Sequence, residues 1–208
     1  MAVKKLCADR SIIAQFISQI TADWSNIPDQ VGGFEIRCLG ENKTTVSQNF
    51  ALGAVSQAID LAVRMNANKL NVYMTINPIA PDETIKSGKS AKDRNVLRAH
   101  YSFADADDLQ GINGLNEVSK FIEPDTIVTT GTIPHQRRHA YWRLIEPCYD
   151  LAIWTQRQKQ LADRFNTDKA VVNPSRIMRV AGTISFPSSA KLAKGYIPEL
   201  VTMHERST

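Results

Sequence analysis

Three carboxylates stand within four positions, Asp105, Asp107 and Asp108, where a strand-like run from Val96 to Asp105 ends. Side chains alternate faces along a strand, so Asp105 and Asp107 project side by side on the face they share with Leu97, Ala99, Tyr101 and Phe103. Like charges this close repel, and partial burial beside aromatic rings raises the cost of ionising both. A proton or a cation has to compensate. Mg²⁺ or Mn²⁺ suits such a pair, because these ions bind through one or two carboxylates plus substrate phosphates. Two of them can clamp the attacking and leaving oxygens of a phosphoryl transfer. Asp108 points to the other face and is expected to cap the helix that begins near Leu109. Capping is also the plain alternative for Asp107.

Two further stretches carry groups suited to phosphate. In "TTGTIPHQRRHAYWRL", residues 129–144, a turn joins two strand-like runs and gathers His135, Arg137, Arg138, His139 and Arg143. Arg supplies bidentate charge-assisted bonds and His a further donor. Thr130 and Gly131 allow backbone N–H groups to approach phosphate oxygens. A hairpin with a solvated basic tip is the competing reading, and it fits His135 and Gln136 best. His139, Tyr141 and Arg143 share one strand face, and Trp142 and Leu144 on the other read as core. In "NPSRIMRVAGTISFP", residues 173–187, Arg176 and Arg179 are three apart. One helical turn would set them on a common side, with Lys191 and Lys194 following. These four read as contacts to nucleic-acid phosphates or as solvated charges.

The elements that must position these groups follow from periodicity. A helix is expected over Ser11–Thr21, capped by Ser11, with Ile12, Phe16 and Ile20 inward. "GGFEIRCL" reads as a strand, Val55–Met65 as a helix and "KLNVYMTINPI" as a strand. Pro81–Arg94 is a polar, turn-rich loop, either a solvated connector or a basic flap that closes on phosphate. Beyond it come strand, helix (Leu109–Ile122), strand, strand, helix (Leu151–Phe165) and a last strand (Tyr196–Met203), with Ile153, Leu161 and Phe165 as the inward residues of the second helix. That is the split order of a ferredoxin-like or RNA-recognition-motif-like sheet.

The bulk composition is compatible with this picture. The chain has 208 residues, 43% hydrophobic, with a formal net charge of +4, enough apolar content for a core and mildly suited to a polyanion. Cys7, Cys38 and Cys148 are too scattered for a zinc knuckle and odd in number, so reduced thiols and a cytoplasmic location are expected. No apolar run approaches a membrane span, so no membrane partner is expected.

Taken together, "SFADADD", "VTTGTIPHQRRHAYWRL" and "NPSRIMRVAGTISFP" resemble the primase-polymerase domains of the archaeo-eukaryotic primase superfamily. The RepB-like primases of plasmids and phages are the nearest branch. The resemblance covers residues 96–203. It implies an α+β fold in which an N-terminal α/β unit (1–95) packs on an RNA-recognition-motif-like (ferredoxin-like) catalytic unit (96–208), with the active site between them. It also implies Asp105 and Asp107 as ligands of Mg²⁺ or Mn²⁺, and His139, with Thr130, Gly131, Arg137 and Arg143, as the group that grips a nucleoside triphosphate. Arg176, Arg179, Lys191 and Lys194 would then follow a single-stranded DNA template. The "R-x-x-R-x-x-G-T" stretch stands here as Arg176, Arg179, Gly182 and Thr183. Asn173 replaces the family's third acid, with Asp168 a possible substitute, and Ala181 replaces a proline. The implied activity is primer synthesis on single-stranded DNA by nucleotidyl transfer in plasmid or phage replication. The alternatives are a catalytically lapsed single-stranded-DNA or origin-binding replication module, and a metal-dependent phosphohydrolase using the same aspartates. No P-loop is present, so a helicase would be another chain or a further domain.

Overall fold

A computed structural model describes residues 6–26, 32–80 and 89–206. Residues 81–88, most of the expected loop, lie outside the described residues. Its far end is anchored where the Ala91 N–H donates to buried Glu35 at 2.8 Å. Among the described residues no helix is long and apolar enough to cross a membrane. The three cysteines are free thiols, and burial pushes Cys38 up to about 12.

The first sheet contains β1 (Gly33–Leu39), β2 (Thr45–Ala51), β3 (Asn71–Thr75) and β7 (Ile177–Arg179), in the order β2-β1-β3-β7 and antiparallel throughout. The second contains β4 (Ala99–Ala106), β5 (Thr126–Gly131), β6 (Arg137–Cys148) and β10 (Thr202–Glu205), in the order β10-β5-β6-β4. A small pair, β8 (Ile184–Ser185) and β9 (Glu199–Leu200), joins the two. Helices α1 (Arg10–Thr21), α2 (Val55–Ala67), α3 (Leu109–Ser119), α4 (Leu151–Phe165) and the single turn α5 (Ser189–Leu192) complete the fold.

The α+β class therefore holds, and the split unit β4-α3-β5-β6-α4 forms with β6 between β4 and β5. The last strand departs from the ferredoxin-like order, which sets the fourth strand beside the first. Here β10 pairs with β5 instead. The free edge of β4 is covered another way. Trp154 Nε1 and Gln158 Nε2 of α4 donate to the Tyr101 and Phe103 carbonyls at 3.0 and 2.9 Å, and the Asp168 N–H donates to the Asp105 carbonyl at 2.8 Å. An unpaired buried edge is costly, and these donors satisfy it from outside the sheet. The same demand corrects the expected inward face of α4. Trp154, Gln158 and Ala162 are buried, whereas Ile153 is 45% exposed. Leu161 and Phe165 pack only at the margin of the core.

Helix α1 is capped by Asp9, not Ser11. The Asp9 carboxylate accepts the Ser11 and Ile12 N–H groups at 2.9 and 3.2 Å. Ile13, Phe16, Ile17 and Ile20 are fully buried, and Phe16 meets Tyr141 of the second sheet edge-on at 6.3 Å. One continuous core includes Phe34, Ile36 and Met74 from the first sheet and Tyr101, Phe103 and Tyr141 from the second.

The expected helical turn at Arg176–Arg179 does not form, and Ile177–Arg179 is a strand. The chain returns to the first sheet as β7 because β3 offers a free edge there, and the Val180 N–H closes the run on the Val72 carbonyl at 3.0 Å. Residues on both sides of position 95 therefore build the first sheet. After β7 the backbone turns at Gly182, whose φ is +83°. A Cβ there would stand 2.7 Å from the Asp9 carbonyl oxygen. Thr183 is fully buried and donates its hydroxyl to the Val180 carbonyl at 2.7 Å, so this Gly-Thr pair shapes the backbone. Gly182→Ala should lower unfolding stability by more than about 2 kcal/mol in denaturant titration, combining left-handed strain with the collision. Gly53→Ala, where a Cβ meets nothing within 4 Å, should change it little.

Candidate active site

The C-terminal end of β4, the facing segments of β5 and β6, the edge of β3-β7, and the β8-α5-β9 connection converge on one cleft of about 280 Å³. Asp105, Asp107, Thr130, Arg137, His139, Arg179 and Lys191 all line it. The site therefore lies between the two sheets.

Asp105 pairs across the ladder with His139 on β6. Asp107 follows the end of β4 and reaches the same cleft, as strand alternation requires. The Asp105 side chain is 16% exposed, against 52% for Asp107. Asp105 Oδ1 is buried and has no hydrogen-bond partner among the described residues. His139 Nε2 is 3.6 Å from it, too far for a hydrogen bond. Burial, and then the charges of Asp107 and Asp168, push the Asp105 carboxyl up from 3.8 to about 8, against the weaker opposite pull of Arg179 and Lys191. A buried, unpartnered carboxylate oxygen beside a second carboxylate fits a hard divalent cation. Among the described residues no group of three His, Cys, Asp or Glu side chains forms a metal site. An ion held by Asp105 and Asp107 would complete its shell with water and substrate phosphate.

Asp108 caps α3, accepting the Gly111 N–H at 2.8 Å, as its opposite-facing position implies. His139 is buried, and loss of solvent pulls its pKa down, so the ring is neutral. Lys191 Nζ is 3.8 Å from Asp107 Oδ2, which brings an expected template contact into the cleft itself. Arg179 does the same from β7. Its guanidinium donates to Asn71 Oδ1 and the Tyr73 hydroxyl at 2.5 and 2.9 Å.

Several expected residues are placed elsewhere or already engaged. Arg143 shares the His139 face but lies four residues along β6, about 13 Å away by strand rise. It pairs with Asp23 at 2.8 Å and lines a separate cavity. Arg137 lines the cleft, but its guanidinium is held by Glu199 at 3.0 Å and by the Ile133 and His135 carbonyls. Gly131 makes room for it, since a Cβ there would fall 1.7 Å from Arg137 Nη2. Arg176 and Lys194 are not among the lining residues. Asn173 donates to Asp93 and Ser175, both at 3.0 Å, and does not line the cleft. Asp168 is exposed and accepts the Ala170 N–H at 2.8 Å, so neither residue supplies a third ligand in this geometry. His135, expected at a solvated tip, turns back so that its Nε2 lies 2.8 Å from the Asp107 carbonyl oxygen.

Sequence reading missed Asn71, Tyr73, Tyr196 and Glu199. Asn71 pairs with the Phe186 backbone in both directions at 2.9 and 2.8 Å while holding Arg179, and so fixes the β8-α5 wall. Tyr196 lies 4.6 Å from the Arg137 guanidinium and 5.4 Å from Lys191 Nζ. Glu199 clamps the β5-β6 turn through Thr132. Asn71 and Tyr73 stand some way before the acidic pair, Tyr196 and Glu199 fall just past Lys194, and none of the four carries a spacing signal.

A raised carboxyl pKa makes the folded protein bind more protons than the unfolded chain, so this contribution to stability is lost as pH rises through the folded value. Lowered values at His100 and His139 act in the opposite sense. The informative quantity is therefore the Tm of the metal-free protein minus that of Asp105→Asn. It should fall between about pH 4 and pH 8. Mn²⁺ should raise the wild-type Tm increasingly with pH and leave Asp105→Asn nearly unchanged.

No family model matches the chain, and no curated protein matches it in sequence. Solved structures do. The AEP domain of the cyanophage S-2L primase-polymerase superposes with a TM-score of 0.60 at 21% identity, covering 97% of this chain and 92% of that one. Primase RepB′ gives 0.60 at 17%, covering 93% of this chain, which spans 56% of the RepB′ chain. The catalytic domain of RepB′ in complex with initiator DNA gives 0.61 at 17%, covering 95% and 85%. The chain has the fold of RepB-like primase-polymerase domains.

Proposed function

We propose that the protein is a metal-dependent DNA primase-polymerase that joins nucleotides on a single-stranded DNA template in plasmid or phage replication. One observation carries this reading: a buried carboxylate oxygen with no hydrogen-bond partner among the described residues sits beside a second carboxylate, in a cleft that also presents a neutral histidine and a lysine. The fold supports it, as does the initiator DNA bound to one structural neighbour.

Asp105 and Asp107 would hold Mg²⁺ or Mn²⁺. When bound, the ion supplies Lewis-acid stabilisation of charge on the reacting phosphate oxygens. His139 would donate to a phosphate oxygen of the incoming triphosphate, and Lys191, on the mobile stem of a long side chain, would exchange Asp107 for the phosphate chain. Arg179, fixed by Asn71 and Tyr73, contributes a stationary positive charge. Thr130 lines the wall beside them. The primer 3′-hydroxyl would attack the α-phosphorus and give its proton to solvent water, while the bond to the β-phosphate oxygen breaks and pyrophosphate leaves. Arg176 and Lys194, outside the cleft, are assigned to template phosphates, which makes DNA binding salt-sensitive. A helicase would act from another chain or domain.

A second reading has its own observation. Asn173 and Asp168 leave the two aspartates without a third acid, as in a DNA-binding module that has lost turnover. Incorporation of labelled nucleotide on single-stranded DNA, with Mn²⁺ or Mg²⁺, separates the two. Wild type should make product, and Asp105→Ala or Asp107→Ala should cut the rate at least about a hundredfold, since metal stabilisation supplies several kcal/mol. Lys191→Ala should raise KM for the nucleotide, and Arg143→Ala should leave the kinetics unchanged. Template binding without product under any metal favours the lapsed module, and template degradation favours a phosphohydrolase.

A further inference from the structure

Tyr141 lies two residues beyond His139 on the same face of β6 and is fully buried. Its ring meets the His139 ring edge-on at 6.3 Å. Its hydroxyl oxygen is 3.2 Å from His139 Nδ1, and among the described residues it has no other hydrogen-bond partner. A buried O–H has to give its proton to an acceptor, and Nδ1 is the acceptor in reach. Were Nδ1 protonated, it would donate to the phenolic oxygen, and the phenolic hydrogen would have to turn away to a direction in which the described residues offer no acceptor. Nδ1 therefore accepts. A neutral imidazole whose Nδ1 accepts carries its proton on Nε2. Nε2 is the nitrogen nearest Asp105 Oδ1, at 3.6 Å, and Asp105 lines the cleft.

We propose that Tyr141 is a positioning residue that holds His139 as the Nε2–H tautomer, so that the ring offers the cleft a hydrogen-bond donor. The phosphate oxygen it would serve rests on the function proposed above, whereas the tautomer follows from the Tyr141 geometry. The opposite tautomer would turn a lone pair toward any phosphate oxygen entering the cleft, and toward Asp105 once a bound cation has displaced that carboxyl's proton, so that electron-rich atoms would face each other. Tyr141 touches no substrate and acts only through the ring it orients. Its second task is packing, since it also meets Phe16 of α1.

The test uses protein labelled with ¹⁵N in its histidines, four in the chain. His139 is assigned by its disappearance in His139→Gln, and two-bond ¹⁵N–¹H correlations then report the tautomer without metal. Wild type should show the Nε2–H pattern. Tyr141→Phe, which keeps the ring and its packing, should show a mixture of tautomers or exchange between them. With Mn²⁺ and a non-hydrolysable nucleoside triphosphate, Tyr141→Phe should weaken binding about three- to tenfold. In a His139→Ala background the same change should cost nothing further. An Nδ1–H pattern in wild type, or an unaltered Nε2–H pattern in Tyr141→Phe, overturns the proposal. A Tyr141-dependent Nε2–H pattern in a protein that binds no triphosphate upholds it and refutes the nucleotide reading instead.

Discussion

Desolvation of the Asp105 carboxylate is the constraint around which the cleft is arranged. One of its oxygens is buried with no donor among the described residues, and two other carboxylates, Asp107 and Asp168, raise its pKa further. The protein's own cations offset this only in part. Arg179 is drawn toward Asn71 and Tyr73, and Lys191 stands nearer the more exposed Asp107. At about 4 Å and an effective dielectric near 20, one added positive charge contributes about 4 kcal/mol of attraction per carboxylate. A divalent ion between the two aspartates therefore answers a deficit built into the fold. A neutral His139 suits the same site, because a second fixed positive charge there would compete with the ion.

The rest of the fold keeps that geometry fixed. β4 can end at the cleft as an edge strand because Trp154, Gln158 and the Asp168 amide satisfy its outer carbonyls. β7 leaves the second half of the chain to pair with β3 and so delivers Arg179 from the opposite wall. The β8-α5 arm is held to the first sheet and its flanking elements by side chains: the Asn66 amide of α2 bonds Ile184, the Asn71 amide of β3 bonds Phe186, and the Glu41 carboxylate of the β1-β2 turn accepts from Ser189. Lys191 rides on that arm. The functional groups thus come from several distant segments, and side-chain-to-backbone bonds set their spacing more than loop conformation does.

How much of this the sequence disclosed depends on the range of the interaction. Alternation placed Asp105 and Asp107 in one cleft and sent Asp108 to the other face as a cap, because those relations are local to one strand end. Periodicity found α2, α4 and the strands around β1, β3, β4, β5 and β6 for the same reason. It failed where a partner in space decided the outcome. β2, a polar hairpin arm whose buried residues, Ser47 and Phe50, lie three apart, has too weak an alternation to stand out. Ile177–Arg179 became a strand because β3 needed a neighbour. The inward face of α4 was set by unpaired carbonyls on β4, which outweighed the exposed Ile153. Arg143 has the right face and charge but the wrong distance along the strand. The edge taken by β10 and the wall made by Asn71, Tyr73, Tyr196 and Glu199 are long-range pairings with no local imprint.

The most direct measurement is anomalous X-ray scattering at the manganese edge from crystals grown with Mn²⁺ and a nucleoside triphosphate. The expected result is a peak in the cleft within about 2.0–2.3 Å of carboxylate oxygens from both Asp105 and Asp107, with the formerly unpartnered Asp105 oxygen among the ligands. A crystal saturated with Mn²⁺ and nucleotide that shows no peak there, and in which Asp105 bonds only to protein groups, would contradict it.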